Sequence, residues 1–248
     1  MSHSPDWPDH LVLLDDIDLP LGEQLALDDE LLAAVDRGEL SPLLRFWQSP
    51  TTAVVLGRGN VPDLEVDLPA CRDLDVPIWR RSSGGGTVVV GPGCLAFTLV
   101  LPATSQLRNL GAGPVTRLLL ERSLSGWGES LGLSVQGVSD ITLGDRKISG
   151  NAQRWKRDAF LHHGTVLLSF DLDLVRRLLR EPARRPEYRS TRSHSDFVQN
   201  APFTADEFRK HLVEQWDATI QRSIPPEVLA AANQLAMERA EQSNWRIA

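Results

Sequence analysis

Apolar residues along the 248-residue chain alternate between short strand-like runs and helical periodicities. Leu11–Leu14 is a short apolar run and predicts a strand. From Leu21 to Val35, Leu25, Ala26, Leu31, Leu32 and Val35 recur at helical spacing among acidic residues, which predicts a helix. Leu43–Trp47 and Ala53–Leu56 read as strands, the second closing on the turn Gly57-Arg58-Gly59. Val66–Leu74 reads as a short helix, and Val76–Arg81 as a strand running into Ser82-Ser83-Gly84-Gly85-Gly86. Thr87–Val90 and Leu95–Leu101, separated by Gly91-Pro92-Gly93, predict a hairpin. Val115–Leu131 is helical in pattern. A second hairpin is expected where Gly144-Asp145 separates Val138–Leu143 from Lys147–Ser149. Val166–Phe170 predicts a strand, followed by a helix to Leu179 capped by Asp171. The last third predicts two amphipathic helices, Ala205–Ile220 capped by Thr204 and Pro226–Glu241 opened by Pro225-Pro226. There are no repeats and no low-complexity linker, so the pattern predicts one α/β domain over 1–248 with an antiparallel-rich sheet.

Composition narrows the class. An apolar fraction of 42% suffices for a buried core, and no apolar run approaches the ~20 residues that span a bilayer. The N-terminal MSHSPDWPDH lacks a basic segment and an apolar segment, so it does not read as a secretory signal. Two cysteines, Cys71 and Cys94, give neither a disulfide framework nor a metal cluster. Together these predict a soluble cytoplasmic protein that does not engage a membrane. A net charge of −7 argues against nucleic-acid binding. The charge is uneven: Arg146–Arg192 holds 12 Lys/Arg against 5 Asp/Glu. Such a segment suits a nucleotide or an acidic partner surface, although Arg176, Arg177 and Arg180 taken alone read as a solvated helix face.

Three segments carry the candidate chemistry. In Arg80-Arg81-Ser82-Ser83-Gly84-Gly85-Gly86-Thr87, glycines after a strand leave backbone N–H groups open to a ligand, and paired guanidiniums offer forked donors to a carboxylate or phosphate. A glycine run alone is more often a turn, and this one is neither a Walker loop nor a GxGxxG fingerprint. In Ser139–Gln153, Lys147 follows a turn, with small Ser149, Gly150 and Ala152 beyond it. A lysine there can stabilise charge on a carboxylate or phosphoryl group; the commoner fate of a hairpin lysine is solvent. Asp140 can orient an ammonium or the metal of a nucleotide, or be an ordinary surface carboxylate. His162 and His163 fall on opposite faces of a strand, a poor metal pair. One is expected to pack inward, while Gly164 lets backbone approach a ligand.

In combination these segments resemble the lipoate–protein ligase family, which includes octanoyltransferases and is related to biotin–protein ligases. The matching pieces are VVLGRGN at 54–60, RRSSGGGTVV at 80–89, SDITLGDRKISGNAQR at 139–154, HHGTVLLSFDL at 162–172 and the closing Ser243-Asn244-Trp245. The resemblance implies an α+β fold, a mixed, mostly antiparallel sheet flanked by helices, like the catalytic core of biotin ligases and class II aminoacyl-tRNA synthetases. It implies an ATP-dependent enzyme that converts lipoate or octanoate to an acyl-adenylate, with Mg²⁺ accompanying ATP. The acyl group then passes to a lysine of a lipoyl acceptor domain of 2-oxoacid dehydrogenase or glycine cleavage complexes. Residue by residue, it places Lys147 at the acyl carboxylate and adenylate phosphate, and Arg81 at the nucleotide and acyl site. Gly86, Thr87, Val88 and Val89 line that site. Arg58, Arg80, Ser83, Gly84, Gly85, Ser149, Gly150, His163, Gly164 and Thr165 fall in the same matched segments as substrate- or nucleotide-binding positions. Asp140 matches the acidic member of an Asn-Asp pair whose asparagine is Ser139 here. The larger bacterial ligases carry a C-terminal accessory domain that this chain is expected to lack, which implies a separate accessory subunit. Two other classes stay open. One is an ATP-independent acyltransferase using a cysteine thioester, for which Cys94 is the sole candidate and reads better as a small buried hydrophobe. The other is a non-catalytic acyl-binding homologue.

Overall fold

A computed structural model describes residues 5–181 and 187–247. Its strands are β1 (Val12–Leu14), β2 (Leu43–Gln48), β3 (Ala53–Leu56), β4 (Ile78–Arg80), β5 (Val88–Val90), β6 (Cys94–Pro102), β7 (Leu133–Gln136), β8 (Asp140–Leu143), β9 (Arg146–Trp155), β10 (Ala159–Leu167) and β11 (Ile220–Arg222). Its helices are α1 (Leu21–Asp36), α2 (Pro62–Glu65), α3 (Leu68–Asp73), α4 (Ser105–Leu110), α5 (Ala112–Ser123), α6 (Trp127–Leu131), α7 (Leu172–Leu178), α8 (His194–Phe197), α9 (Ala205–Gln215) and α10 (Pro226–Ala240). Eight strands form one sheet in the order β11-β1-β2-β6-β10-β9-β8-β7, and β4-β3-β5 form a second. In the large sheet only the β11–β1 and β1–β2 pairs are parallel. The sheet is thus mixed and mostly antiparallel with helices packed on it, the α+β class expected.

The strict side-chain alternation of the central strands builds two cores. On β6, Leu95, Phe97, Leu99 and Leu101 point to one face and pack with Val115 and Leu119 of α5 and Phe208 and Leu212 of α9. Val100 points to the other face, where it meets Leu27, Leu31 and Leu32 of α1, and α1 is covered in turn by Val228, Ala232 and Ala236 of α10. A third cluster joins this second face to the small sheet through Trp47, Ala96 and Leu167 against Val54, Val55 and Val89. Because α1 is packed on two sides, even its Asp28 and Asp29 are buried, at 2% and 7% exposure.

Several sequence expectations need correction. Thr87–Val90 and Leu95–Leu101 do not form a hairpin: β5 pairs with β3, whereas β6 pairs with β2 and β10. Gly91-Pro92-Gly93 carries the chain from one sheet to the other, and Gly93 (φ +84°) lies so close to Ser169 that a Cβ would sit 2.5 Å from its carbonyl. The helix over 115–131 breaks into α5 and α6 at Gly126, whose left-handed φ of 81° ends the first segment's register. The strand expected at Val166–Phe170 is the end of β10, which begins at Ala159. Helix α9 stops at Gln215, freeing Ile220–Arg222 to pair with β1. Val66 is not helical but bridges to Leu179, and α3 starts at Leu68 under the Asp67 cap. The β8–β9 hairpin, the Asp171 cap and the Thr204 cap form where expected. No described helix is long and apolar enough to cross a membrane.

Candidate active site

The face of the large sheet shared by α1 and the small sheet encloses a cavity of about 480 Å³. Its lining is of two kinds. Leu25, Trp47, Val90, Ala96, Leu167 and Phe197 are apolar; Lys147, Arg81, Arg180, Asp140 and Glu65 are charged.

Lys147 reaches the cavity from β9, beside an irregularity in the β8–β9 register between Ile141 and Thr142. Such irregularities re-aim side chains, and here the ammonium lies 2.7 Å from Asp140 Oδ1. Asp140 Oδ2 accepts from the Tyr188 hydroxyl at 2.6 Å, so both carboxylate oxygens are engaged. Burial and the neighbouring Asp140 carboxylate push the Tyr188 phenol well up, so it keeps the proton that it donates to Asp140. A Cβ at Gly150 would sit 2.7 Å from Lys147 Nζ, so this glycine is the floor over which the lysine lies. Gly164 plays the same part for Asn151, whose Oδ1 would be 1.9 Å from a Cβ there.

The glycine loop is held from inside by Arg81, which is 7% exposed. Its Nη2 donates to Gly84 O at 2.6 Å and Gly86 O at 2.8 Å, its Nε to Ser83 Oγ at 2.9 Å and its Nη1 to Val55 O at 3.3 Å. Desolvation lowers its pKa to about 10. Gly85 has φ +88°, and a Cβ would meet Arg81 Nη2 at 3.0 Å. Arg80 turns elsewhere: its Nη1 donates to the carbonyls of Gly57 and Asn60, and its Nε to Asn244 O in the closing segment. Ser82 and Arg239 both donate to Asp29, which also pairs with Arg154 at 2.6 Å.

The cavity therefore gathers Lys147, Arg81, Gly86, Thr87, Val88, Val89, Asp140, Ser149, Gly150, His163, Gly164 and Thr165 from the sequence expectation. Ser83, Gly84 and Gly85 of the same loop are not among the lining residues: Ser83 is buried, and Gly84 and Gly85 are exposed. Arg58 is exposed and, like Arg80, is not among the lining residues. The two histidines separate as expected. His162 is fully buried and its pKa falls to about 3 through desolvation, while His163 lines the cavity. Sequence reading missed Glu65, Arg180, Tyr188 and Asp28. Arg180 is exposed, as a solvated helix face predicts, but α7 ends at Leu178, the backbone at Leu179 is extended, and Arg180 also lines the cavity. For Asp28 the available signal was a pair of adjacent carboxylates inside an apolar helical stripe.

Cys94 is 2% exposed, is not among the cavity-lining residues, and its thiol is pushed up to about 12 by burial. Cys71 is the buried residue of α3, with its thiol raised to about 11 by desolvation.

Residues 20–217 match the lipoyl protein ligase A/B catalytic domain. The chain belongs to that family. Within it, the chain is 28% identical over 207 residues to lipoate-protein ligase A subunit 1 of Thermoplasma acidophilum, covering 79% of this chain and 78% of that one. It is 31% identical over 186 residues to an octanoyl-[GcvH]:protein N-octanoyltransferase of Kyrpidia tusciae, covering 66% and 63%. It spans only 45% of the length of the Schizosaccharomyces pombe and Mycoplasma genitalium relatives it matches at 32% and 30% identity. The same lipoate ligase fold occurs in the bi-partite lipoate protein ligase of Thermoplasma acidophilum solved with its E2 lipoyl domain (TM-score 0.76, 23% identity, 96% of each chain). It also occurs in a lipoate-protein ligase A bound with ATP (TM-score 0.73, 24% identity, 95% and 97%).

Proposed function

We propose that this lipoate ligase family member activates lipoate or octanoate with ATP and transfers the acyl group to a lysine of a lipoyl acceptor domain. The observation that carries the reading is Lys147 held by Asp140 in a cavity that combines an apolar lining with cations. An acyl acid needs the first for its tail. An acyl-adenylate needs the second at the carboxylate–phosphate junction. A carboxylate oxygen attacks the α-phosphorus of ATP and the bond to pyrophosphate breaks. The acceptor amine then attacks the acyl carbon and AMP leaves. Lys147 stabilises the negative charge that builds at the junction in both steps, and the glycine loop braced by Arg81 positions the reactants.

The described residues offer no group of three or more His, Cys, Asp or Glu side chains able to hold a metal. Asp140 is engaged by Lys147 and Tyr188 and Glu65 by Thr87, so a Mg²⁺ accompanying ATP would be carried by the nucleotide's own phosphates, where it would screen their charge.

The second reading, an acyltransferase using a cysteine thioester, is favoured by the Kyrpidia tusciae relative. It requires an accessible thiolate, and burial keeps Cys94 protonated and out of the cavity lining. The presence of Lys147, Arg81 and the glycine loop together at the cavity argues against a non-catalytic acyl-binding role. The Thermoplasma acidophilum relative is named subunit 1, and a solved structure from the same organism is of a bi-partite lipoate protein ligase and its E2 lipoyl domain. These support a lipoyl-domain acceptor here and a separate accessory subunit.

The test is transfer of lipoate to an acceptor lipoyl domain, read as a mass shift with and without ATP. Strict ATP dependence, retained in Cys94→Ser, is the expected result. Transfer from an acyl thioester donor with ATP absent, lost in Cys94→Ser, would establish the second reading instead.

A further inference from the structure

A buried chain of hydrogen bonds runs from α1 to the glycine loop. Asp28 Oδ2 lies 3.0 Å from His163 Nδ1, and His163 Nε2 lies 2.6 Å from Ser83 Oγ, which accepts from Arg81 Nε at 2.9 Å. Asp28 also accepts from Thr98 Oγ1 at 2.9 Å and faces Arg45 Nη1 at 3.4 Å. Asp28, Ser83, Thr98 and Arg45 are each at most 2% exposed.

A guanidinium can only donate, so one lone pair of Ser83 Oγ accepts from Arg81, and a carboxylate can only accept, so the Nδ1 proton of His163 is directed at Asp28. Ser83 keeps a second lone pair as well as its O–H, and the relay is the pattern in which that O–H is directed at a bare His163 Nε2.

The order serine–histidine–aspartate is that of an acyl-transfer triad. Ser83 is nevertheless 1% exposed, has one lone pair engaged by Arg81, and is not a cavity-lining residue, so it is not presented as a nucleophile. What the chain does reach is the loop: the same Arg81 holds Gly84 O and Gly86 O, and Arg81, Gly86 and His163 all line the cavity.

We propose that Asp28 and His163 are positioning residues that hold the glycine loop, through Ser83 and Arg81, in the shape that forms the substrate cavity. Asp28 sets the His163 tautomer, the tautomer lets Ser83 donate, and Ser83 fixes Arg81 against the loop carbonyls.

The test uses the full chain and two variants, Ser83→Ala in the middle of the relay and Asp28→Asn at its end. Hydrogen–deuterium exchange is read on peptides carrying the Arg58 and Arg81 amides, which tie the loop down through Ser83 O (2.8 Å) and Leu56 O (2.9 Å). Peptides from β6 and α10 serve as controls. Exchange at the two amides is expected to rise about tenfold in both variants with the controls unchanged, the effect of losing one hydrogen bond from a local opening equilibrium. Imidazole ¹⁵N shifts of the unmodified chain should show the proton on Nδ1 of His163. Asp28→Asn also strips Arg45 of its counter-charge, so if it unfolds, Ser83→Ala alone decides. A kinetic arm rests on the adenylating reading: KM for the acyl acid should rise more than kcat falls. The exchange and ¹⁵N arms do not depend on it, so a loosened loop in a chain without ligase activity would sink that reading and leave the relay standing. Unchanged exchange in Ser83→Ala, or a His163 proton on Nε2, overturns the relay.

Discussion

Three glycines around the cavity differ in what a methyl group would strike, and this separates stability from activity. At Gly150 the neighbour is Lys147 Nζ, the free end of a flexible chain; at Gly164 it is the buried Asn151 side chain and the Phe97 ring at 2.8 Å. Gly150→Ala is therefore expected to leave the thermal midpoint nearly unchanged while lowering adenylation sharply, because it displaces the ammonium proposed to stabilise the adenylate. Gly164→Ala should cost about 1–3 kcal/mol by overpacking, visible in urea unfolding. Gly85→Val combines positive φ with contact on Arg81 and should abolish acyl-adenylate formation while the fold survives. Removing the ammonium itself, in Lys147→Ala, should slow adenylation at least ~10²-fold, measured as pyrophosphate-dependent ATP formation. Most of this was legible in sequence, since Lys147, Gly150, Gly164 and the glycine loop stand in specific local motifs. Asp28 was not. A carboxylate among acidic residues on a helix reads as solvent-facing, and only the packing of α1 on the large sheet, where Asp28 meets Thr98, Arg45 and His163, buries it.

At the scale of elements, local pattern predicted the capped helices and the β8–β9 hairpin, whose determinants lie within a few residues. It failed where a distant partner decides. Gly91-Pro92-Gly93 has the composition of a hairpin turn, but its neighbours pair into different sheets because Gly93 is pinned against Ser169, 76 positions along the chain. Gly93→Ala would need both a strained φ and a displaced backbone. A loss of more than about 2 kcal/mol is expected in denaturant titration. Strand β10 carries a pH dependence of its own. His162 is fully buried with its pKa lowered to about 3 by desolvation, and its Nε2 has no partner among the described residues. Its folded pKa lies below the unfolded value near 6.5, so the unfolded chain binds the extra proton. Stability is therefore full above about pH 6.5 and declines as pH falls toward 3. His162→Leu should move the acid-unfolding midpoint to lower pH. An unmoved midpoint would show that other groups govern acid unfolding.

For the whole molecule the charge asymmetry matters most. The basic stretch of 176–192 includes Arg184 and Arg185, which lie outside the described residues; of the rest, Arg176, Arg177 and Arg180 are exposed, and on the proposed reading they would offer an acidic acceptor domain an electrostatic landing. Transfer to the acceptor should therefore weaken with salt more steeply than adenylation, which takes place inside the cavity. Equal salt sensitivity of the two half-reactions would remove this role. The central claim, that Lys147 and the glycine loop serve an adenylating site, is tested most directly without any acceptor. Purified chain incubated with lipoate, ATP and Mg²⁺ should, in native mass spectrometry, carry noncovalent lipoyl-AMP and release pyrophosphate. Lipoate bound with ATP left intact, or a covalent acyl group on Cys94 formed without ATP, would contradict the account.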